Sequence, residues 1–273
     1  MIPAAFEYVR AHSLEHAMEQ LGADEDAKLL AGGHSLIPLM KLRFARPSML
    51  VDIGRLPDLS YIRRQDDHVA IGALTRHHDL ANSTLLQQEC PIVADAASQI
   101  GDPAVRHMGT IGGSVAHADP ASDLPTVLVA LQATFVIRGP GGTERTVPAG
   151  LFFKGVFTAD LAPTEILTEI RVPVVSGGWS FIKFTRRAQD WALVGVAAVA
   201  GPQGVAVVLA NMGQTPIRAT GVEERLAAGD PPATAALRAD EGTAPPSDSF
   251  GDAGYRRLLA KVLVGRALTE ALA

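Results

Sequence analysis

The chain has 273 residues, 47% of them apolar and 19% charged, a length and balance that supply a well-buried core with room for two domains and exclude a disordered polymer. Its net charge of −5 excludes wholesale nucleic-acid binding, because no basic field is present to displace counterions from phosphates. A single cysteine, Cys90, excludes an internal disulfide, a four-cysteine zinc site and any iron–sulfur cluster held by this chain alone.

The opening Met1-Ile2-Pro3-Ala4-Ala5-Phe6-Glu7-Tyr8 carries an early acid and lacks a basic stretch followed by an apolar one, so it does not read as a signal peptide. The longest apolar stretch, 191–201, is too short to span a bilayer, and the cytoplasm is the expected compartment. Ser13 is placed to cap a helix in which Leu14, Ala17, Met18 and Leu21 share one face and which Gly22 ends. Residues 28–31 read as a short buried strand, Leu36, Leu39, Met40 and Leu42 as a helix with Pro38 in its opening turn, and 48–53 as a second strand. This is an α/β beginning.

Residues 69–73 form the next expected strand, with Thr75 capping a helix through Leu80, and a further helix runs from Pro91 toward Ile100 until Gly101-Asp102-Pro103 breaks it. A helix over 123–131 follows, then a hairpin of 133–137 and 143–147 around Gly139-Pro140-Gly141-Gly142, and a strand at 166–172. The proline, serine and glycine stretch at 173–178 is the candidate boundary. Beyond it lie expected strands at 181–185, 193–200 and 204–210, helices at 219–228 and 255–272, and a polar surface loop at 229–249. Meandering strands followed by helices indicate an antiparallel α+β unit.

Chemistry concentrates in two glycine loops, Ala31-Gly32-Gly33-His34-Ser35-Leu36 and Thr110-Ile111-Gly112-Gly113-Ser114. Paired glycines let a ligand approach peptide N–H groups, and Ser35, Thr110 and Ser114 add hydroxyls, so the pair of loops points to a phosphate or diphosphate. A nucleotide-hydrolysing P-loop is excluded because no glycine is followed by Lys and then Ser or Thr. Asp52 sits where a Rossmann ribose-binding acid belongs, yet G-x-G-x-x-G is absent and Asp52 reads as a turn residue before Gly54. His77, His78, His107 and His117 lack metal-ligand spacing and read as solvated polar residues, whereas His34 either hydrogen-bonds a ligand or faces water. Asp119 and Asp123 form a conceivable acid–base pair, with Asp123 the better helix cap or acceptor for sugar or base edges. Lys183 offers a cation to an electron-rich ring or a phosphate, or is one residue of an edge strand.

Taken together, the two loops, Asp119-Pro120-Ala121-Ser122-Asp123-Leu124-Pro125 and the segment 183–192 resemble the FAD-binding medium subunit of the molybdenum hydroxylases, the family of the carbon monoxide dehydrogenase medium subunit and the xanthine dehydrogenase flavin domain. The resemblance implies an α+β fold: an FAD-binding domain of the vanillyl-alcohol-oxidase (PCMH) type over 1–174, with subdomains of about 1–57 and 58–174, then a smaller antiparallel C-terminal domain over 175–273. It places Ala31, Gly32, Gly33, His34, Ser35 and Leu36 with Thr110, Ile111, Gly112, Gly113 and Ser114 around the FAD diphosphate. Asp123 would face the ribose or adenine end, Leu167 the adenine side, Ile100 and Gly101 the flavin, and Lys183 the isoalloxazine. Gly101 departs from the small residue with a side chain found there in the family, which implies a slightly altered flavin packing.

Such subunits relay electrons: a small subunit carries two iron–sulfur clusters and a large subunit carries molybdopterin, in a dimer of heterotrimers. No catalytic residue and no metal ligand is expected in this chain. The rival readings are a stand-alone FAD-dependent oxidase and a non-catalytic nucleotide-binding module.

Overall fold

The structure, a computed structural model, describes residues 2–273. Its opening is a three-stranded parallel sheet in the order Glu7–Arg10, Met49–Asp52, Lys28–Leu30. Parallel neighbours need crossovers, and the helices Leu14–Ala23 and Leu36–Lys41 provide them. Ser13 caps the first by accepting from the His16 N–H at 3.1 Å, and Ala17, Met18 and Leu21 are its buried face. Gly22 lies inside this helix, which runs one residue past it. The strand Glu7–Arg10 lacks an apolar alternation and is held instead by its pairing with Met49–Asp52.

A five-stranded antiparallel sheet follows, in the order Ile62–Arg64, His68–Gly72, Ile166–Pro173, Thr134–Gly139, Thr143–Pro148. Helices Pro91–Ser98 and Asp123–Ala130 belong to its core, where Phe135 and Phe152 meet edge to face at 4.8 Å. All eight residues of Asp123–Ala130 are buried. A helix buried on every side must lie between layers, and this one packs against both this region and the C-terminal sheet.

That last sheet is antiparallel, in the order Trp179–Phe184, Val194–Gly201, Gly204–Ala210, Ile217–Arg218. Its alternation splits the two faces: Val194, Val196 and Ala198 pack with Leu263, Val264 and Leu268 of the helix Ala253–Ala271, while Ala197 joins the central core.

Three expectations fail locally. Thr75 does not cap the helix His77–Ala81, because its hydroxyl donates to Tyr61 O at 3.0 Å and Arg76 occupies the capping position. The segment 101–117 holds two short helices, Pro103–Met108 and Ile111–His117, where a break and a loop were expected. The segment expected as a polar loop includes the short helix Pro232–Ala235, and Ala235, Ala236 and Ala239 are buried against the C-terminal helix. Small apolar residues among Gly, Asp and Pro read as loop, yet they let chain and helix approach closely.

Candidate functional site

A cavity of about 770 Å³ opens where the three sheets converge, within the range of small-molecule and cofactor sites. The parallel sheet contributes the first glycine loop, which leaves strand Lys28–Leu30 and enters helix Leu36–Lys41. Among the described residues, no hydrogen bond takes up the N–H groups of Gly32, Gly33, His34 or Ser35, and the Ser35 hydroxyl is not spent on capping. Gly32 is apposed to the approach of the second loop so closely that a Cβ there would lie 2.2 Å from Met108 O and 2.8 Å from Gly109 Cα. Only glycine permits that contact.

The second loop is built otherwise. Thr110-Ile111-Gly112-Gly113-Ser114 is the start of a helix, and its N–H groups are already engaged: Ile111 to Thr75 O at 3.0 Å, Gly112 to Ala73 O at 2.8 Å, Gly113 to Thr110 Oγ1 at 3.1 Å and Ser114 to Thr110 O at 3.0 Å. A second cradle of free peptide N–H groups, expected from the glycine pair, is therefore absent. What this segment offers the cavity is close approach at Gly112 and Gly113 together with the Ser114 hydroxyl. Ile111 does not reach the cavity at all, since its side chain is fully buried in the central core.

The third wall comes from Trp179–Phe184. Lys183 is 6% exposed, and its Nζ donates to Asp123 Oδ2 at 2.7 Å and to Gln99 O at 3.1 Å. Asp123, 4% exposed, keeps its Oδ1 buried without a partner, and burial pushes its carboxyl up to about 6 despite the adjacent lysine. Asp123, expected at the ribose or adenine end, and Lys183, expected at the isoalloxazine, are held by this ion pair at one spot beside Gln99, Ile100 and Gly101. Asp119 takes no part, because its Oδ1 accepts the Ala121 N–H of its own turn.

Of the other sequence candidates, Ala31, Leu36, Ile100, Gly101 and Leu167 line the cavity. Gly101 has φ +47°, where a side chain is strained. Asp52 stays outside the cavity: it accepts the Gly54 N–H at 2.8 Å and the Tyr8 hydroxyl at 2.5 Å, a turn residue as expected.

Several lining residues were not foreseen. Phe157, at φ +53°, packs against His117 with ring centroids 4.9 Å apart and the planes tilted by 33°, and Trp191 stands exposed at the mouth. Lone exposed aromatics carry no periodic signal. His77, expected from the sequence to be solvated, is 5% exposed, with Nδ1 buried and unpartnered. Burial, then the nearby His34, Arg76 and Arg106, push its imidazole down to about 4. The unfolded chain takes up this proton near pH 6.5 and the folded chain only near 4, so acidification favours unfolding across that window. Urea unfolding of the FAD-stripped chain should show about 3 kcal/mol lost between pH 6.5 and 4 on this account, a slope missing from H77Q.

Residues 4–175 match the family described as the FAD binding domain in molybdopterin dehydrogenase, and residues 179–271 the CO dehydrogenase flavoprotein C-terminal domain. The chain belongs to the FAD-binding medium subunits of the molybdenum hydroxylases. It is 43% identical to the carbon monoxide dehydrogenase medium chain of Hydrogenophaga pseudoflava, over 100% of this chain and 99% of that one. It is 40% identical to the glyceraldehyde dehydrogenase medium chain of Sulfolobus acidocaldarius, over 99% of each. A solved structure of the Hydrogenophaga pseudoflava carbon monoxide dehydrogenase superposes with a TM-score of 0.94 at 42% identity, covering 100% of this chain and 99% of its counterpart. Quinoline 2-oxidoreductase from Pseudomonas putida 86 matches with a TM-score of 0.93 at 32% identity, covering 99% of this chain and 98% of its own. As a member of this family, the chain is an oxidoreductase subunit with an FAD-binding domain, and its relatives are named as chains or subunits of multi-subunit dehydrogenases.

Proposed function

We propose that this chain is the electron-transfer subunit of a cytoplasmic molybdenum hydroxylase, with electrons arriving from the iron–sulfur clusters of a partner and leaving through FAD to an external acceptor. The observation that carries the reading is the cavity itself, where one loop with free N–H groups faces a buried Lys183–Asp123 pair whose Oδ1 still needs a donor. That donor set fits a dinucleotide. The N–H groups of Gly32 to Ser35 bind a diphosphate, the Ser35 and Ser114 hydroxyls supplement them, and Leu167 lies against an apolar part of the cofactor. The cluster of Ile100, Gly101, Asp123 and Lys183 serves the flavin end as one unit, with Asp123 moved there from the ribose. When bound, FAD supplies electron transfer in single or paired steps. The chain's residues orient it, exclude water from it and set the charge beside its ring.

Residues 1–174 form the cofactor domain in this reading, with subdomains meeting near residue 57, and 175–273 the C-terminal domain. The partners are an iron–sulfur small subunit and a molybdopterin large subunit, assembled as a dimer of heterotrimers. Relatives named for carbon monoxide, glyceraldehyde and caffeine share this one fold of chain, so the substrate is chosen on another subunit. Among the described residues no helix is long and apolar enough to cross a membrane.

Purification of the chain with whatever accompanies it, followed by visible spectroscopy and metal analysis, tests the reading. The expected result is stoichiometric FAD on this chain, with molybdenum and iron only on its companions. Denatured protein that releases no FAD overturns it, and so does a lone flavoprotein that oxidises an organic substrate without either metal.

A further inference from the structure

His77 lies directly beneath the junction of the two loops. Its backbone N–H donates to Gly109 O at 3.0 Å, and its ring edge meets the same residue so closely that a Cβ on Gly109 would sit 2.7 Å from Cδ2 and 2.9 Å from Nε2. Gly109 in turn is pressed against Gly32 of the first loop. The imidazole is thus one backbone thickness from the loop whose peptide N–H groups are free, and its Nδ1 has no partner.

The charged groups that face this ring are His34 from the first loop, Arg76 from the turn before its own helix and Arg106 from helix Pro103–Met108. Asp79 and Asp52 act on Arg76 instead. Buried among groups that are cationic or can become so, the ring stays neutral in the FAD-free chain. A diphosphate placed on the first loop brings two negative charges into the same space, which offset the two arginine charges and favour a protonated ring.

We propose that His77 takes up a proton from solvent when FAD binds, so that an imidazolium forms beneath the diphosphate and serves as a positioning residue for it. The ring gains its second N–H, no electrons move, and one proton is consumed per FAD bound. Because acidification then favours the bound state, affinity for FAD rises as pH falls, opposite in sign to the effect of the same ring on apoprotein stability. The inference rests on FAD occupying this cavity.

The test is FAD titration of the full chain after flavin removal, by calorimetry at pH 6.5 in two buffers of different ionisation enthalpy, and by flavin fluorescence from pH 8 to 5.5. The wild-type chain should take up as much as one proton more than H77Q, and its Kd should tighten relative to H77Q by up to about tenfold for each unit that the pH falls. The other titrating groups are common to both proteins, so the difference isolates His77. Should H77Q fold poorly, ring-15N-histidine spectra of the wild-type chain supply the same answer: the His77 ring becomes doubly protonated when FAD is added. Equal proton uptake by wild type and H77Q, or a ring that stays neutral with FAD bound, overturns this inference and leaves the cofactor reading intact. A chain that binds no FAD overturns both.

Discussion

Replacing Lys183 by methionine will cost about 3 to 5 kcal/mol of stability at pH 8, the usual penalty when one partner of a buried pair is removed and the other is left charged. Asp123 then loses the cation that opposes its desolvation, and its carboxyl, already pushed up to about 6, rises further. A carboxyl whose folded value lies above its unfolded one stabilises the fold at low pH and withdraws that support as pH rises through the folded value. K183M should therefore recover much of its lost stability when the pH is lowered below 6, whereas a variant damaged by packing alone would not.

The double variant K183M/D123L separates folding from cofactor binding. Apolar replacement of a whole buried pair is often neutral or stabilising, so the double variant should fold at least as well as K183M at every pH and better at pH 8. It should nonetheless purify with little FAD, because the pair's role at the cavity is to meet the cofactor. Guanidinium unfolding curves and FAD-to-protein ratios of the three proteins check both statements. Full FAD occupancy in the double variant would show that the pair is structural only. Asn at 123 is a gentler probe, since its side chain still accepts from Lys183 but carries no charge.

The fold was legible wherever the apolar pattern had one period. Helix Asp123–Ala130 and the antiparallel strands Val194–Gly201 and Gly204–Ala210 emerge nearly at their observed limits because each is a continuous or alternating apolar run. The helix Ile111–His117 was hidden by its own glycines, which depress helix propensity, although Thr110 three residues before Gly113 was the available cap signal. For the same reason Ile111 looked like part of a ligand loop when it is a core residue.

The site was legible as two loops and illegible as a constellation. Asp123 and Lys183 are sixty positions apart, and only the packing of the C-terminal sheet over the helix Asp123–Ala130 closes that distance. Nothing in the residue types assigns one to the other. His77 stands beside His78 in the sequence, yet one ring is buried at the cavity while the other stacks on His107 with centroids 4.1 Å apart. Adjacent helical positions point in different directions, so the pair has no shared role.

The second large effect is expected at Gly32. An alanine Cβ there would collide with Met108 O at 2.2 Å and with Gly109 Cα at 2.8 Å, both backbone positions that no rotamer change can clear. The first loop must move away from the segment that leads into the second, and the cavity between them loses its shape. Overpacking of this kind costs about 1 to 3 kcal/mol of stability, while FAD affinity should fall by about a hundredfold or more, equivalent to about 3 kcal/mol. Gly150 supplies the control: it has open space around the same position, so G150A should keep wild-type FAD content. Flavin fluorescence quenching measures both Kd values. A G32A chain that binds FAD as tightly as G150A would mean that the approach of the two loops, close as it is, does not shape the diphosphate site. Loss of affinity in G32A with the unfolding midpoint nearly unchanged would place the effect in the cradle rather than in the core.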